Sequence, residues 1–261
     1  MLFGVLEGVT EWLPISSTGH LILLENVVKF EVRPAFFEIF EVVIQLGAIL
    51  AVVVLYFQKL NPFARQKTPV ERRGTWHLWS LVLLAALPSA IVGLLLDDFL
   101  DEHLYNVPTV AAMLILYGIA FLFPLKWQKR IPSGGQITKK TALGVGLFQL
   151  LALIPGTSRS GATMLGGTLL GLPRTDAAEF SFFLGIPTML GASVLKCAKF
   201  FLEGNVLTST EWAMLAAGTL TAFLVSLVVI RALLDFVKRH TLCAFGIYRI
   251  ALGVVVLFML L

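Results

Sequence analysis

Glu7-Gly-Val-Thr-Glu11-Trp-Leu-Pro14-Ile-Ser16-Ser17-Thr18-Gly-His20 interrupts an otherwise apolar stretch, residues 2–28, and divides it into two short pieces. Each piece has roughly 12 to 15 residues, whereas a helix needs about 20 to cross a hydrocarbon core some 30 Å thick. Neither piece can span alone. The same pattern returns over residues 141–172, broken at Pro155-Gly-Thr-Ser-Arg-Ser-Gly161. A segment that enters and leaves a membrane by one face is the remaining geometry. Its irregular turn is tolerated at that depth only where protein or a water-filled cavity surrounds it.

The rest of the chain supplies the membrane setting. Of 261 residues, 57% are hydrophobic and 14% charged, against roughly 45–50% and about 25% in soluble domains. Mean hydropathy is +0.88. A soluble globular protein is excluded, and so is a β-barrel, whose strands alternate apolar and polar residues; residues 244–261 are apolar on nearly every side. Cys197 and Cys243 lie far apart in separate apolar segments and read as packed or lipid-facing thiols, not a disulfide or a metal pair. The net charge of +4 comes from basic residues in short loops and gives no support for nucleic acid. Residues 2–13 lack a basic leader and hold two glutamates, so no cleavable signal peptide is expected and the first membrane segments should carry targeting.

Six stretches are long enough to span: 36–57, 76–96, 107–125, 178–202, 212–234 and 244–261. Lys and Arg near span ends stay on the cytoplasmic side. Lys59, Arg65, Lys67, Arg72 and Arg73 place the first loop inside, and Asp97, Asp98, Asp101 and Glu102 place the next outside. Lys126, Lys129, Arg130, Lys139 and Lys140 are inside, Glu203 and Glu211 outside, Lys238 and Arg239 inside. This ladder sends the two hairpins in from opposite faces. The expected fold is therefore an all-α polytopic membrane protein, one domain over residues 1–261, with six transmembrane helices and two re-entrant hairpins. It is expected to be an inverted repeat, with halves at about 1–125 and 139–261. Leu13-Pro14, a Ser/Thr turn, Gly19, Phe36-Phe37 and Leu46-Gly47-Ala48 recur weakly as Ile154-Pro155, a Ser/Thr turn, Gly161, Phe180 to Phe183 and Leu190-Gly191-Ala192. Broken helices in such repeats meet near the midplane, where the functional site lies.

The chemistry sits on those turns. Glu7 and Glu11 share one helical face, and two bare carboxylates there call for a divalent cation, an arginine or protonation. The plain alternative is a water-exposed N-terminal helix. Pro14 should end the first helix. Ser16, Ser17 and Thr18 follow, and one of the serines could simply cap the next helix; His20, one turn in, adds a proton-exchanging group. In the second turn Ser158, Arg159, Ser160 and Thr163, with Gly156 and Gly161, form an oxyanion cradle suited to phosphate. The alternative is that Arg159 only neutralises Glu7 or Glu11. Carboxylates for a hard cation facing a phosphate clamp imply metal-assisted phosphoryl chemistry, and the apolar surroundings imply a lipid-bearing substrate.

The two signatures, Glu7 to His20 and Pro155 to Thr163, resemble those of the bacterial undecaprenyl-diphosphate phosphatases, also called bacitracin-resistance proteins. Phe40-Glu41-Val-Val-Ile-Gln45-Leu-Gly and Glu179-Phe-Ser-Phe look similar too, so the resemblance runs over nearly the whole chain. One departure is the first helix, usually longer in that family. The resemblance implies removal of one phosphate from a polyprenyl diphosphate at the outer side of the plasma membrane, which recycles the carrier for peptidoglycan synthesis. It also implies dependence on Mg²⁺ or Ca²⁺. Glu7 and Glu11 would hold the cation, with Glu11 also counted among the catalytic residues. Arg159, Ser158, Ser160 and Thr163 would grip the diphosphate with Ser16 and Thr18, Ser17 would be the nucleophile, and His20 would relay protons. Membrane lipid is the surrounding partner, and a homodimer is left open. The other lipid phosphatase class, similar to the type-2 phosphatidate phosphatases, needs a later histidine where this chain has Leu165. The rival from another class is a secondary transporter or lipid-carrier flippase with coupling glutamates at the same site.

Overall fold

The computed structural model describes residues 1–28, 32–123 and 136–258, all helix, turn or loop with no strand among them. Lys126, Lys129, Arg130 and the ends of two expected spans, residues 124–125 and 259–261, lie outside the described residues. The helices are α1 (Leu2–Thr10), α2 (Ser17–Val28), α3 (Pro34–Leu55), α4 (Phe57–Leu60), α5 (Pro69–Leu104) and α6 (Val107–Leu122). Then come α7 (Lys139–Leu150), a 3₁₀ turn (Leu151–Leu153), α8 (Arg159–Leu169), α9 (Arg174–Leu202), α10 (Ser209–Arg239) and α11 (Cys243–Phe258).

A helix covers most of the described residues of each expected span, and α3, α5, α9 and α10 are long and apolar enough to cross a membrane. α6 and α11 are shorter apolar helices. The pieces of the two broken segments, α1, α2, α7 and α8, have 9, 12, 12 and 11 residues, below the spanning length. Two boundaries differ from expectation. α1 ends at Thr10, before Pro14, with residues 11–15 in turns, because the residue before a proline is steered out of the α region. α5 continues through the acidic run to Leu104, since charged side chains are compatible with a helix once it leaves the hydrocarbon.

Helix starts are set locally. Thr68 and Thr208 open α5 and α10 with the same reciprocal cap: each threonine hydroxyl accepts the N–H of a glutamate three residues on, Glu71 or Glu211, whose carboxylate accepts the threonine N–H. The first helices of the two broken segments are seated crosswise. α1 lies chiefly on α10, and α7 lies chiefly on α5. Both seats need glycine: a Cβ on Gly8 would come within 2.8 Å of Ala222 O, and one on Gly146 within 2.3 Å of Ala85 O. Close approach through small residues is how helices gain packing energy where lipid removes the hydrophobic drive.

The core gathers Trp12, Ala48, Val52, Ala85, Phe121, Met164, Phe180 and Phe182 around the two turns. Outward, Leu83, Leu87, Ile91 and Leu94 on α5 and Leu220, Leu224 and Val228 on α10 stand exposed. Rows of large apolar side chains on this scale are a liability in water and a requirement in lipid. The polar turns thus lie inside an apolar bundle. Cys197 and Cys243 are both free and half-buried.

Candidate active site

Two serines with left-handed backbones define the turns. Ser16 has φ of +72° and Ser158 +71°, and they are the only non-glycine residues with positive φ among those described. Such a conformation is uncommon without glycine and persists where the surroundings enforce it. Each serine is followed at once by a helix start, Ser17 for α2 and Arg159 for α8, so these two side chains take equivalent first positions. Ser158 Oγ accepts the Gly161 N–H at 3.1 Å. The Ser16 carbonyl lies 2.7 Å from His20 Nδ1, and a carbonyl can only accept, so Nδ1 carries the proton. In the neutral ring Nε2 is then the acceptor, and Tyr248 OH sits 2.7 Å from it, its ring stacked on the imidazole.

Glu11 joins the turns. The Glu11 N–H donates to Glu7 O at 3.0 Å, so helical spacing reaches Glu11 and both carboxylates share a face, as expected. Its Oε1 accepts from Arg159 Nη2 at 2.7 Å and its Oε2 from Ser17 Oγ at 3.1 Å. Arg159 Nη1 donates to Ser181 O at 2.6 Å, and the guanidinium lies 5.8 Å from the Trp12 ring centroid. Ser160 Oγ lies 3.0 Å from Glu11 O and 3.2 Å from Leu13 O, donating back to the first turn. Ser17, Glu11, Arg159 and Ser160 therefore come together. Ser158 Oγ adjoins the group, 3.2 Å from Ser160 Oγ. Thr163 is directed elsewhere: its hydroxyl donates to Arg159 O at 2.8 Å and lies 2.6 Å from Ser181 Oγ. Thr18 is half-buried. His20 has both ring nitrogens engaged away from Ser17.

Glu7 has no exposure at all, and neither of its carboxylate oxygens has a hydrogen-bond partner among the described residues. The frayed, water-exposed helix is thereby excluded. A bare charge so placed is strongly disfavoured, and Glu11, Glu41 and Arg159 lie within electrostatic reach of it. No group of three or more His, Cys, Asp or Glu side chains with metal-binding geometry occurs among the described residues. Two free oxygens on Glu7 fit a hard cation of the Mg²⁺ kind, which takes one or two carboxylates and completes its shell with water and substrate phosphates; Glu11, whose oxygens are held by Arg159 and Ser17, would join once Arg159 turns to the phosphate. Glu179, by contrast, pairs with Lys59 on α4.

Sequence reasoning missed Arg249 and Tyr248 on α11. Arg249 is completely buried and donates to Pro14 O at 3.2 Å, Gly156 O at 2.8 Å and Met113 O at 3.3 Å. The signal was present: Arg249 is the one charged residue in the stretch 244–261, and an ionisable group inside a span marks function by default.

Residues 1–255 match the family model described as "Bacitracin resistance protein BacA". The chain is 53% identical to a protein of Enterococcus faecalis, over 98% of this chain and 95% of that one. It is 55% identical to one of Streptococcus mutans, over 99% and 94%, and 53% identical to one of Lactiplantibacillus plantarum, over 98% and 95%. Each of the three is named "Undecaprenyl-diphosphatase".

Proposed function

This chain belongs to the bacitracin resistance protein BacA family, and from that premise we propose that it is a membrane-embedded undecaprenyl-diphosphate phosphatase. It hydrolyses the polyprenyl diphosphate to monophosphate and inorganic phosphate, which returns the carrier to peptidoglycan synthesis and confers bacitracin resistance. The observation that carries the reading is the Glu11 carboxylate, which holds Arg159 of one turn on Oε1 and Ser17 of the other on Oε2. A base, a nucleophile and a phosphate-binding fork are thus in one contact group.

The terminal phosphate draws the Arg159 guanidinium, whose planar fork donates to two phosphate oxygens, away from Glu11. Glu11 then accepts the proton of Ser17 Oγ, and that oxygen forms a bond to the terminal phosphorus. The bond from phosphorus to the bridging oxygen breaks, and the lipid monophosphate leaves with the electron pair. Glu11 passes that proton to the departing monophosphate, then takes one from the water that hydrolyses the phosphoserine and returns it to Ser17 Oγ as inorganic phosphate leaves; His20 exchanges protons with Tyr248 OH beside this group. The N–H groups at the starts of α2 and α8 face developing negative charge, the electrostatic contribution that dominates phosphoryl transfer. Glu7 and Glu11 would hold a divalent cation, Mg²⁺ or Ca²⁺, which when bound neutralises charge on the diphosphate.

The finer architecture proposed is six crossings and two re-entrant hairpins in an inverted repeat, within the plasma membrane and with the site opening outward. The crosswise seating of α1 and α7, the paired threonine caps and the paired positive-φ serines support the repeat. The alternating loop charges support the orientation. The test is phosphate release from undecaprenyl diphosphate by purified protein with Mg²⁺ or Ca²⁺. Absence of release by folded wild-type protein overturns the reading.

A further inference from the structure

Arg249 has an environment that neither a lipid-facing nor a substrate-binding arginine would have. It is wholly buried, it forms no ion pair among the described residues, and its hydrogen bonds to Pro14, Gly156 and Met113 all end on main-chain carbonyls. Those carbonyls belong to three separate segments: Pro14 in the first turn, Gly156 in the second and Met113 on α6. Turns expose carbonyls that a helix would have paired, and at membrane depth each is strongly disfavoured unless a donor reaches it. One planar guanidinium serves both turns at once, Nη1 on Pro14 and Nη2 on Gly156. A lysine ammonium would have to reach both acceptors from one freely rotating nitrogen, without the planar two-nitrogen geometry that sets their separation. The Tyr117 and Phe121 rings, 5.5 and 5.7 Å from the guanidinium carbon, fix its plane.

The spacing makes this contact more than a plug. Pro14 lies three residues before Ser17, and Gly156 three residues before Arg159. The second turn is itself pressed onto α6, since a Cβ on Gly156 would meet Val110 O at 2.6 Å. The carbonyls that Arg249 holds are thus the bases from which nucleophile and phosphate clamp project. We propose that Arg249 is a positioning residue: its guanidinium fixes the separation of the two turns, so that Ser17 and Glu11 face Arg159, without itself touching substrate. The proposal rests on the reading of both turns as one hydrolytic site.

The test uses Arg249→Lys and Arg249→Met in the full-length purified protein, checked for folding by size exclusion. Two readouts are taken: phosphate release from undecaprenyl diphosphate, and the distance distribution between nitroxides at Val28 and Leu169, exposed positions at the far ends of α2 and α8. In Arg249→Lys, kcat should fall at least tenfold with KM within about twofold and the pH profile unchanged in shape, and the distance distribution should broaden or shift. Combined with Arg159→Lys, the loss should be smaller than the product of the single losses, because a displaced clamp has less to lose. An unchanged distance distribution, a rise confined to KM, or fully multiplicative losses overturns the positioning role. If Arg249→Met does not fold, the Lys variant decides. If wild-type protein releases no phosphate, the phosphatase reading fails, and the distance measurement still judges the clasp.

Discussion

Replacing Arg159 by lysine keeps the charge and removes the fork. In the structure the two terminal nitrogens point to different acceptors, Nη1 to Ser181 O at 2.6 Å and Nη2 to Glu11 Oε1 at 2.7 Å. A lysine ammonium can stay with one of these or move to the phosphate, but cannot be anchored on α9 and grip two phosphate oxygens together. The guanidinium is also pressed against α9, where a Cβ on Gly185 would lie 2.7 Å from Nη1, so a shorter, rounder head would sit loosely. Hydrogen bonds to charged groups contribute about 1.5–3 kcal/mol each. Losing one that matters in the transition state lowers kcat/KM by roughly tenfold to 150-fold, at about 1.4 kcal/mol per tenfold. The assay is the initial rate of phosphate release over a range of substrate concentrations, with Arg159→Ala alongside. Near-wild-type turnover by the Lys variant with an inactive Ala variant would refute the fork and leave Arg159 as a neutraliser of Glu11.

Glu7→Gln removes a charge while keeping shape; activity should collapse, wild-type activity should be lost with a chelator and return with Mg²⁺ or Ca²⁺, and chelator-resistant wild-type turnover would sink the cation role. Ser17→Ala should abolish a phosphoenzyme trapped by rapid quench with labelled diphosphate, whereas His20→Ala should slow turnover and shift its pH dependence; label on His20 would reverse the roles, and an active, label-free Ser17→Ala would point to direct attack by water. A cysteine at Glu102 should react with an impermeant maleimide on intact cells and one at Arg65 only after permeabilisation, and the opposite pattern would invert the topology.

The turns were legible because their grammar is local. Proline, glycine and runs of hydroxyl residues inside apolar pieces too short to span admit few geometries, and an i, i+4 glutamate pair on a helix must share a face. The extent of α5 was less legible: charges at Asp97 to Glu102 look like a loop, yet a helix already formed continues into water without penalty. Which side chain faces which was beyond sequence. The Ser17 contact with Glu11 in place of His20, and the turning of Thr163 toward Ser181, are rotamer choices made by packing from other segments. Arg249 was visible as a lone charge in an apolar segment, but its acceptors are backbone groups far away in the chain, and no residue type advertises them.

The crosswise seating of α1 and α7 bears on how the chain is made. α7 emerges after α5 and finds its seat already in the bilayer. α1 emerges first, while α10, on which it lies, is translated roughly 200 residues later, a wait on the order of ten to forty seconds at about 5–20 residues per second. For that interval the piece carrying Glu7, too short to cross, has only α2 and α3 beside it and lacks the helix that contributes most of its seat. Two broken segments whose first helices have comparable seats are therefore inequivalent in time, and the N-terminal one has to wait for its main partner until α10 is made.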